Sequence, residues 1–358
     1  EHLTVNQRVL GSSPRGRAKK RVRGLVFLLY SYCKENNSVH MKRVLITYRL
    51  KEEGLKELEG KYDVTIPVDA SHFTKEEVME LIPDHEVLVP NFSFYTDKEI
   101  LDKAPKLELI ANYGVGFNNI DVPYATEKGV VVTNIPESTR EPTAEFAFAL
   151  MLAAGRRVGY YDRKLRTPEG VSWGVYKDGG MPLYGKTLGI IGMGRIGQSL
   201  ARRAVASGMR IIYHNRNRLD RAIEGKDDAS YVSLDELLAT ADYISLNAPS
   251  TPETVRMIGE EQFNRMKSTA VFINTARGNM VDEMALVRAL GEGKIWAAGL
   301  DVYENEPHIL PELLELPNVV LAPHAGTKTM EDRINMSIEM CRNIVGFYEG
   351  TFPVSRVN

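Results

Sequence analysis

The sequence predicts an α/β protein made of two doubly wound parallel-sheet domains with a cleft between them. From Met41 onward, short β-branched runs alternate with polar-faced segments, a pattern typical of a parallel sheet covered by helices on both faces. The alternation stops at a long apolar segment, residues 139–165, and then resumes. With 358 residues, the chain is long enough to bury one core in each of two domains.

The first alternating set predicts strands at "RVLITY", "YDVTIP", "EVLVPN", "LELIANYG" and "VVVTNI". Polar-faced segments such as "KEEGLKELEGK" and "SHFTKEEVMELI" lie between them and are expected to form the covering helices.

The segment "TREPTAEFAFALMLAAGRRVGYYDRKL" at 139–165 predicts one long helix. Its middle is apolar on almost every face, so we expect it to be buried on all sides, by another domain or by another subunit. A glycine-rich polar arm follows and carries Trp173 and Tyr176. These aromatic residues either pack on a partner or belong to a loop folded on its own domain, and the sequence leaves both open.

The second alternating set runs from "TLGIIGMGRIG" through "RIIYHN", "YISLNAP", "VFINTARG" and "AAGLDVYENEP" to "VVLAPHAG". Its strands are continuous apolar runs, as expected when both faces of a parallel sheet are covered. From about residue 327 the pattern predicts one amphipathic helix.

Residues 1–40 are predicted to be a leader outside the fold. They hold eight Lys or Arg and two acidic residues, whereas the other 318 residues hold 37 basic and 45 acidic side chains. This leader is either a targeting segment or a vector-derived or mis-started extension, and its apolar run is too short to span a bilayer.

The composition indicates which classes of binding partner and which cellular location are expected. The formal charge of −2 argues against a nucleic-acid-binding protein. The two cysteines, Cys33 and Cys341, exclude a disulfide framework and favour a reducing, cytoplasmic location. No Cys/His group has metal-ligand spacing, so we expect no metal. We also expect no nucleic-acid partner and no membrane partner.

A glycine-rich turn predicts a dinucleotide site. Gly192, Gly194 and Gly197 form G-x-G-x-x-G between an apolar strand and a helical pattern, the context in which this motif is specific. Gly192 permits the tight turn, Gly194 admits a pyrophosphate, and Gly197 lets helix and strand pack closely. The alternative is a glycine turn that binds nothing.

Asn215 stands eighteen residues after Gly197, where NAD-binding units usually place an acidic residue on the ribose 2′ hydroxyl. Asparagine does not repel a 2′-phosphate, and Arg216 and Arg218 offer planar forks suited to one. The segment therefore predicts NADP(H) over NAD(H). His214 is either a further ligand of the 2′-phosphate or a packing residue. The alternative for the whole segment is a solvated basic strand end that does not distinguish strictly between NADP(H) and NAD(H).

Three polar side chains follow predicted strands and suggest a reaction. Arg277 is suited to clamp a carboxylate and polarise an adjacent carbonyl, and His324 to protonate that carbonyl oxygen. Glu306 would orient the imidazole and stabilise its charged form. Singly, each signal has a structural alternative, such as a salt bridge for the arginine or a helix cap for the histidine. Four aromatic residues are expected to wall the pocket: Phe92, Phe94, Tyr95 and Phe117.

From about Met41 to its end, the chain resembles the D-isomer-specific 2-hydroxyacid dehydrogenases. The resemblance rests on "NYGVGFNNIDV", "VTNIPESTREPTAEFAFAL", "GMGRIG", "MKSTAVFINTARGNMVD", "GLDVYENEP" and "PNVVLAPHAGT", in that order. It implies two Rossmann-like domains, a substrate-binding domain over 41–139 plus 322–358 and a dinucleotide-binding domain over 140–321. It also implies a homodimer formed through residues 139–184.

The resemblance also assigns roles. Arg277 would bind the substrate carboxylate and carbonyl, His324 would be the acid/base, and Glu306 its partner. The backbone amides of Val115 and Gly116 would bind the carboxylate. Cofactor contacts would come from Thr143, Arg195, Ile196, Ala276 and Asp301. Two positions depart from the family pattern: Asn215 replaces the usual acid, and Asn247 replaces a frequent histidine.

These observations predict an NADPH-preferring reductase of small 2-oxo acids, and the resemblance implies glyoxylate, hydroxypyruvate or 2-ketogluconate as the substrate. The D configuration of the product is implied by the resemblance alone. One alternative is an NAD-preferring D-lactate or phosphoglycerate-type dehydrogenase. A formate dehydrogenase is disfavoured, because those enzymes place Gln where Glu306 stands. Another alternative is a cofactor-sensing binding module on the same scaffold, as in related corepressors.

Overall fold

Two parallel sheets organise residues 41–358, the part of the chain that this computed structural model describes. The predicted leader at 1–40, with Cys33, lies outside the described residues. The strands of the first sheet are β1 (Arg43–Ile46), β2 (Asp63–Thr65), β3 (Val87–Val89), β4 (Leu109–Ala111) and β5 (Val131–Thr133). They are arranged in the order β2-β1-β3-β4-β5, and every pairing is parallel.

The strands of the second sheet are β6 (Thr187–Ile191), β7 (Arg210–His214), β8 (Ser230–Tyr231), β9 (Tyr243–Leu246), β10 (Val271–Asn274), β11 (Ala297–Leu300) and β12 (Val319–Leu321). They are arranged in the order β12-β11-β10-β9-β6-β7-β8 and are all parallel. The sequence missed only the two-residue edge strand β8. The predicted α/β fold with two doubly wound parallel sheets is confirmed.

Helices around the first sheet are α1 (Lys75–Leu81), α2 (Lys98–Asp102) and α3 (Val122–Glu127). The segment "KEEGLKELEGK", expected to be helical, instead forms two 3₁₀ turns, Glu52–Gly54 and Lys56–Leu58. Gly54 is pressed against the C-terminal part of the chain, where an added Cβ would lie 2.4 Å from Cβ of Ser337. This close approach favours a tight, short turn over a regular helix.

The prediction of one helix over 139–165 was wrong. The segment forms α4 (Arg140–Gly155) and α5 (Val158–Leu165), with Arg157 between them in the left-handed region at φ 57°. Gly155 ends α4 against the buried Tyr243, whose hydroxyl oxygen would lie 2.1 Å from an added Cβ. Close packing at Gly155 and the left-handed Arg157 together redirect the chain.

Burial of this region is one-sided within a single chain. Ala144, Ala147 and Met151 of α4 are fully covered, whereas Leu165 of α5 is 61% exposed. In the arm that follows, Trp173 is 91% exposed and Tyr176 97% exposed, and no helix or strand forms between α5 and β6. The part of the arm around Trp173 and Tyr176 therefore does not pack on its own domain, whereas Met181 and Leu183 at its end are buried in the core of the second sheet.

The remaining helices of the second sheet are α6 (Arg195–Ala206), α7 (Arg221–Glu224), α8 (Leu234–Thr240), α9 (Glu260–Arg265), α10 (Glu283–Gly291) and α11 (Pro311–Glu315). The last helix, α12 (Met330–Glu349), confirms the amphipathic helix predicted from about residue 327. Among the helices of residues 41–358, none combines the length and apolarity needed to cross a membrane.

Helix α12 returns to the first sheet. The Tyr113 hydroxyl donates to the carbonyl oxygen of Arg333 at 2.7 Å, and Nδ2 of Asn343 donates to the carbonyl oxygen of Asn134 at 2.8 Å. Cys341 is buried in the same interface. The first core is thus completed by the C-terminal end of the chain, while the boundaries at 139 and 322 stay a prediction.

Candidate active site

A cleft of about 500 Å³ lies between the two sheets. Arg277 follows β10, Glu306 follows β11 and His324 follows β12, and these three strands are neighbours. Because the carboxyl ends of parallel strands meet at one edge of a sheet, side chains from distant segments converge there. All three residues line the cleft, together with residues of both domains: Phe92, Tyr95, Asn118, Asn119, Ser250, Gly278, Asn279, Tyr303, Glu304, Asn305 and His308.

His324 and Glu306 form a hydrogen-bonded pair, with Nδ1 of the imidazole 2.8 Å from Oε2 of the carboxylate. The other carboxylate oxygen accepts from the main-chain N–H of Tyr303 at 3.1 Å. Burial alone would raise the pKa of Glu306, but the hydrogen bond and charge of His324 outweigh it and lower that pKa below its ordinary value. The carboxylate is therefore ionised at neutral pH and fixes the ring, which leaves Nε2 for a substrate.

Asp301 holds the turn that carries His324. Its buried carboxylate accepts from the main-chain N–H groups of Ala325 at 2.6 Å and Gly326 at 2.9 Å, and its carbonyl oxygen accepts from the His324 N–H at 2.8 Å. His324 itself has φ 50°, a conformation that a non-glycine residue adopts only when its surroundings enforce it. Burial raises the pKa of Asp301, against the two N–H donors. The residue expected to contact the cofactor thus also positions the histidine.

Arg277 is a half-buried cation without a carboxylate of its own. Its Nη1 donates to the carbonyl oxygen of Ala276 at 2.6 Å, and within residues 41–358 it has no ion-pair partner. Burial lowers the pKa of the guanidinium and the charge of Glu306 opposes this, yet an arginine stays protonated. A partly desolvated, unpaired charge is costly, so this geometry calls for an anion from outside the chain.

The loop after β4 brings backbone donors to the same place. An added Cβ on Gly116 would lie 1.9 Å from Nη2 of Arg277, so only glycine allows this approach. Nδ2 of Asn112 donates to the carbonyl oxygens of Gly114 and Gly116, and Nδ2 of Asn134 donates to that of Val115. With the carbonyls held in this way, the N–H groups of Val115 and Gly116 have no hydrogen-bond partner among the described residues. The sequence reasoning missed both asparagines, although they lie inside the quoted motifs.

The aromatic wall is only partly as expected. The Phe92 ring stacks on the His324 imidazole, with centroids 4.8 Å apart and an angle of 27° between the planes, and Tyr95 also lines the cleft. The prediction was wrong for Phe94, which packs into the core of the first domain, and Phe117 lies outside the cleft lining. Residues 92–95 form a turn and not an extended strand, so the sequence does not show which of their side chains face the cleft.

The glycine-rich turn has the shape that a bound pyrophosphate requires. Gly192 has φ 95°, and an added Cβ there would lie 2.4 Å from the main-chain nitrogen of Ala248. An added Cβ on Gly197 would lie 2.6 Å from the carbonyl oxygen of Gly192, whereas nothing lies within 4 Å of one on Gly194. The turn is therefore packed on its inner side and open above Gly194, where α6 begins with Arg195 and Ile196.

The residues after β7 divide between ligand-facing and internal contacts. Oδ1 of Asn215 accepts from the Met193 N–H at 2.7 Å, so its Nδ2 is the group left to donate to a ligand. Arg216 is exposed and forms no ion pair with the residues that the structure describes. Arg218 binds Glu224 through Nε at 2.8 Å and Nη2 at 2.9 Å, which occupies one edge of its fork. His214 bonds to the Val232 carbonyl oxygen through Nδ1 at 3.0 Å and stacks on Tyr231.

Buried polar atoms mark the inner end of the cofactor groove. Oδ1 of Asn247, after β9, and Oγ1 of Thr275, after β10, are buried without a hydrogen-bond partner in the described chain. Unsatisfied buried polar atoms are uncommon and indicate a missing ligand or water. Thr143, at the start of α4, is buried and lies next to Gly326. Together with the open glycine turn, these groups fit a bound dinucleotide.

Comparison with known proteins agrees with this geometry. Residues 148–326 match the model of the "D-isomer specific 2-hydroxyacid dehydrogenase, NAD binding domain" family. The chain is 44% identical over 319 residues to a glyoxylate reductase of Korarchaeum cryptofilum. The aligned region covers 88% of this chain and 96% of that protein.

Solved structures give the same result. A glyoxylate reductase from Paecilomyes thermophila is 35% identical, with a TM-score of 0.80, over 89% of this chain and 98% of that one. An NADPH-dependent glyoxylate/hydroxypyruvate reductase from Sinorhizobium meliloti, solved with NADP and malonate, is 30% identical, with a TM-score of 0.76, over 88% of this chain and 96% of that one. The chain therefore belongs to the D-isomer specific 2-hydroxyacid dehydrogenase family, as an oxidoreductase that acts on CH–OH groups with a nicotinamide cofactor.

Proposed function

We propose that this protein is an NADPH-preferring reductase of glyoxylate and hydroxypyruvate, and that it forms the D-2-hydroxy acid where the product is chiral. The observation that carries the proposal is the half-buried, unpaired Arg277 beside two free backbone N–H groups and a His–Glu pair. This set suits a ligand with a carboxylate next to a carbonyl, which is the chemistry of a 2-oxo acid. The names of the relatives support the choice of glyoxylate.

The chain's own residues divide the work. The N–H groups of Val115 and Gly116 and the guanidinium of Arg277 bind the substrate carboxylate, and Arg277 also polarises the carbonyl. When bound, the dihydronicotinamide supplies the hydride. His324 delivers a proton from Nε2 to the carbonyl oxygen, and Glu306 stabilises the imidazolium before that transfer.

The cofactor preference rests on the donors near Asn215. With Oδ1 occupied by the Met193 N–H, Nδ2 of Asn215 donates, and Arg216 adds an unpaired positive charge. Both favour a 2′-phosphate, which only accepts hydrogen bonds at neutral pH. Arg218 contributes only through the edge that Glu224 leaves free. Further cofactor contacts would come from Gly192, Gly194, Arg195, Ile196, Gly197, Thr143, Ala276 and Asp301.

We also infer a homodimer through residues 139–184, in the cytoplasm. The exposed Trp173 and Tyr176 on the arm, with Leu165 of α5, are large apolar side chains that a second copy of the chain would cover. Sedimentation analysis of the wild type and of Trp173→Ser should show a dimer that the substitution weakens. A wild-type monomer at micromolar concentration would remove this inference. The cytoplasmic location rests on the low cysteine content.

The substrate is tested by following NADPH oxidation with glyoxylate, hydroxypyruvate, pyruvate and 3-phosphohydroxypyruvate. We expect glyoxylate and hydroxypyruvate to have the highest kcat/KM. Glyoxylate yields an achiral product, so the configuration is read from the glycerate formed from hydroxypyruvate, by chiral chromatography. L-glycerate, or a clear preference for pyruvate, would contradict the proposal. Cofactor binding without turnover of any acid would favour the sensing module.

A further inference from the structure

A chain of hydrogen bonds crosses the mouth of the cleft. Nδ2 of Asn118, on the loop after β4, donates to the carbonyl oxygen of Ser250, on the loop after β9, at 2.9 Å. The hydroxyl of Ser250 donates in turn to Oδ1 of Asn279 at 3.0 Å. All three residues line the cleft, and the first of these bonds joins the two domains. We call these three residues the cleft bridge.

Each end of the cleft bridge is attached to a group that faces the substrate. Asn118 lies two residues after Gly116, whose free N–H is one of the backbone donors. Asn279 lies two residues after Arg277, in the short 3₁₀ turn Gly278–Met280. The bridge therefore connects the two sets of donors that would hold one carboxylate.

Both ends are anchored in their own domain. The neighbour of Asn118, Asn119, is buried and donates from Nδ2 to the carbonyl oxygen of Asn91 at 2.9 Å. On the other side, the Arg256 N–H donates to the carbonyl oxygen of Asn279 at 2.9 Å. A bond between two anchored loops restricts how far the domains separate, whereas a bond between two mobile loops would not.

We propose that Asn118 is a positioning residue: its hydrogen bond to Ser250 holds the cleft closed and sets the distance between the Val115 and Gly116 amides and Arg277. This inference rests on the proposed function, because the shared ligand is the carboxylate of a 2-oxo acid. Its value lies in pre-organisation, since donors already in place lose less freedom when the substrate binds. Asn118 is exposed and takes no part in the hydrogen bonds that fold its own loop, so its removal should leave the fold intact.

The test uses the full-length chain and two changes at one position. Asn118→Asp keeps the shape but replaces the donor by an oxygen that faces a carbonyl, whereas Asn118→Gln keeps the donor. Asn264→Asp, at an exposed asparagine of α9, is the control for the added charge. With saturating NADPH, Asn118→Asp should raise the KM for glyoxylate about three- to tenfold, the usual worth of one hydrogen bond, with a smaller change in kcat. Asn118→Gln should recover most of this, and the control should match the wild type.

Hydrogen exchange gives a readout that does not depend on turnover. In Asn118→Asp, amides of both 113–121 and 250–255 should exchange faster than in the wild type, while the unfolding midpoint stays the same. Unchanged exchange and unchanged KM would overturn the proposal, as would a rise in KM that Asn118→Gln does not reduce. A wild type that does not reduce glyoxylate but shows the exchange effect would remove the proposed function and keep the bridge.

Discussion

The two polar regions at the edge of the second sheet are built in opposite ways. Arg277, Glu306 and His324 come from segments far apart in sequence, yet they meet because β10, β11 and β12 are neighbours. The residues at the end of β7 and just after it are close in sequence, yet their side chains point to different places: His214 bonds to Val232, and Arg218 binds Glu224. Neighbouring parallel strands gather side chains, whereas consecutive residues of one extended segment point to different sides. Convergence is therefore a better sign of a site than adjacency.

The largest effect should come from breaking the convergent set at its acid. His324→Ala removes the only proposed proton donor to the carbonyl, so kcat/KM for glyoxylate should fall by about 10²–10⁴ while NADPH still binds. Stopped-flow or steady-state kinetics would measure the fall, and fluorescence titration the binding. The exposed His72 gives a matched control, because His72→Ala should keep full activity. Undiminished turnover in His324→Ala would refute the assignment of the acid.

A smaller and pH-dependent effect should follow from Glu306→Gln. The pKa of Glu306 lies below its ordinary value, so its carboxylate is charged at neutral pH and supports the imidazolium, and this support is lost only as pH falls through that pKa. A neutral amide gives no such support at any pH. In the variant, the pH above which glyoxylate reduction declines should therefore move to a lower value. A pH profile of kcat/KM that keeps the wild-type position would show that Glu306 does not act through the charge of His324.

Breaking the consecutive region should change the choice of cofactor and leave the chemistry intact. Arg216→Ser removes one charge-assisted contact with the 2′-phosphate, so kcat/KM for NADPH should fall about tenfold. The value of kcat/KM for NADH should stay the same. Arg218→Ser should cost less in NADPH affinity, because Glu224 already occupies one edge of that guanidinium. Equal losses for both cofactors in Arg216→Ser would mean that this residue does not contact a 2′-phosphate.

The smallest effect, on the stability of the fold, should come from Glu141, whose carboxylate pairs with two arginines. Glu141 accepts from Ser199 at 2.6 Å and pairs with Arg203 at 2.9 Å and Arg202 at 2.8 Å. Burial would raise the pKa of Glu141, but the bonds from Ser199 and Arg203 and the two positive charges lower it to about 2. The depressed pKa stabilises the fold above the ordinary carboxyl pKa of 4.5, and that contribution is lost as pH falls toward about 2.

Glu141→Gln should accordingly lower the unfolding midpoint by a few degrees at pH 7, and the difference from wild type should shrink between pH 4 and pH 2. Thermal scans at several pH values would measure it. A difference that persists unchanged at pH 2 would show that the loss is steric and not electrostatic.

The strands and the convergent residues were accessible from sequence because their signals are local. An apolar run before Arg277 or His324 predicts the end of a strand. The strand order then brings these ends together, because β10, β11 and β12 are neighbours. The break at Arg157 was not accessible, because it depends on how closely Gly155 approaches Tyr243. Glu224 was missed for the same reason: its contact with Arg218 arises only when α7 folds back beside β7. Side-chain pairing across elements, not element type, is what the sequence leaves undetermined.

The central claim is tested most directly by measuring kcat/KM of the wild type for NADPH and for NADH at saturating glyoxylate. Our account predicts that both support turnover at the Arg277, Glu306 and His324 set, with NADPH favoured by at least about tenfold through the donors around Asn215. Equal values for the two cofactors would contradict the 2′-phosphate site, and absence of turnover with both would contradict the proposed reaction itself.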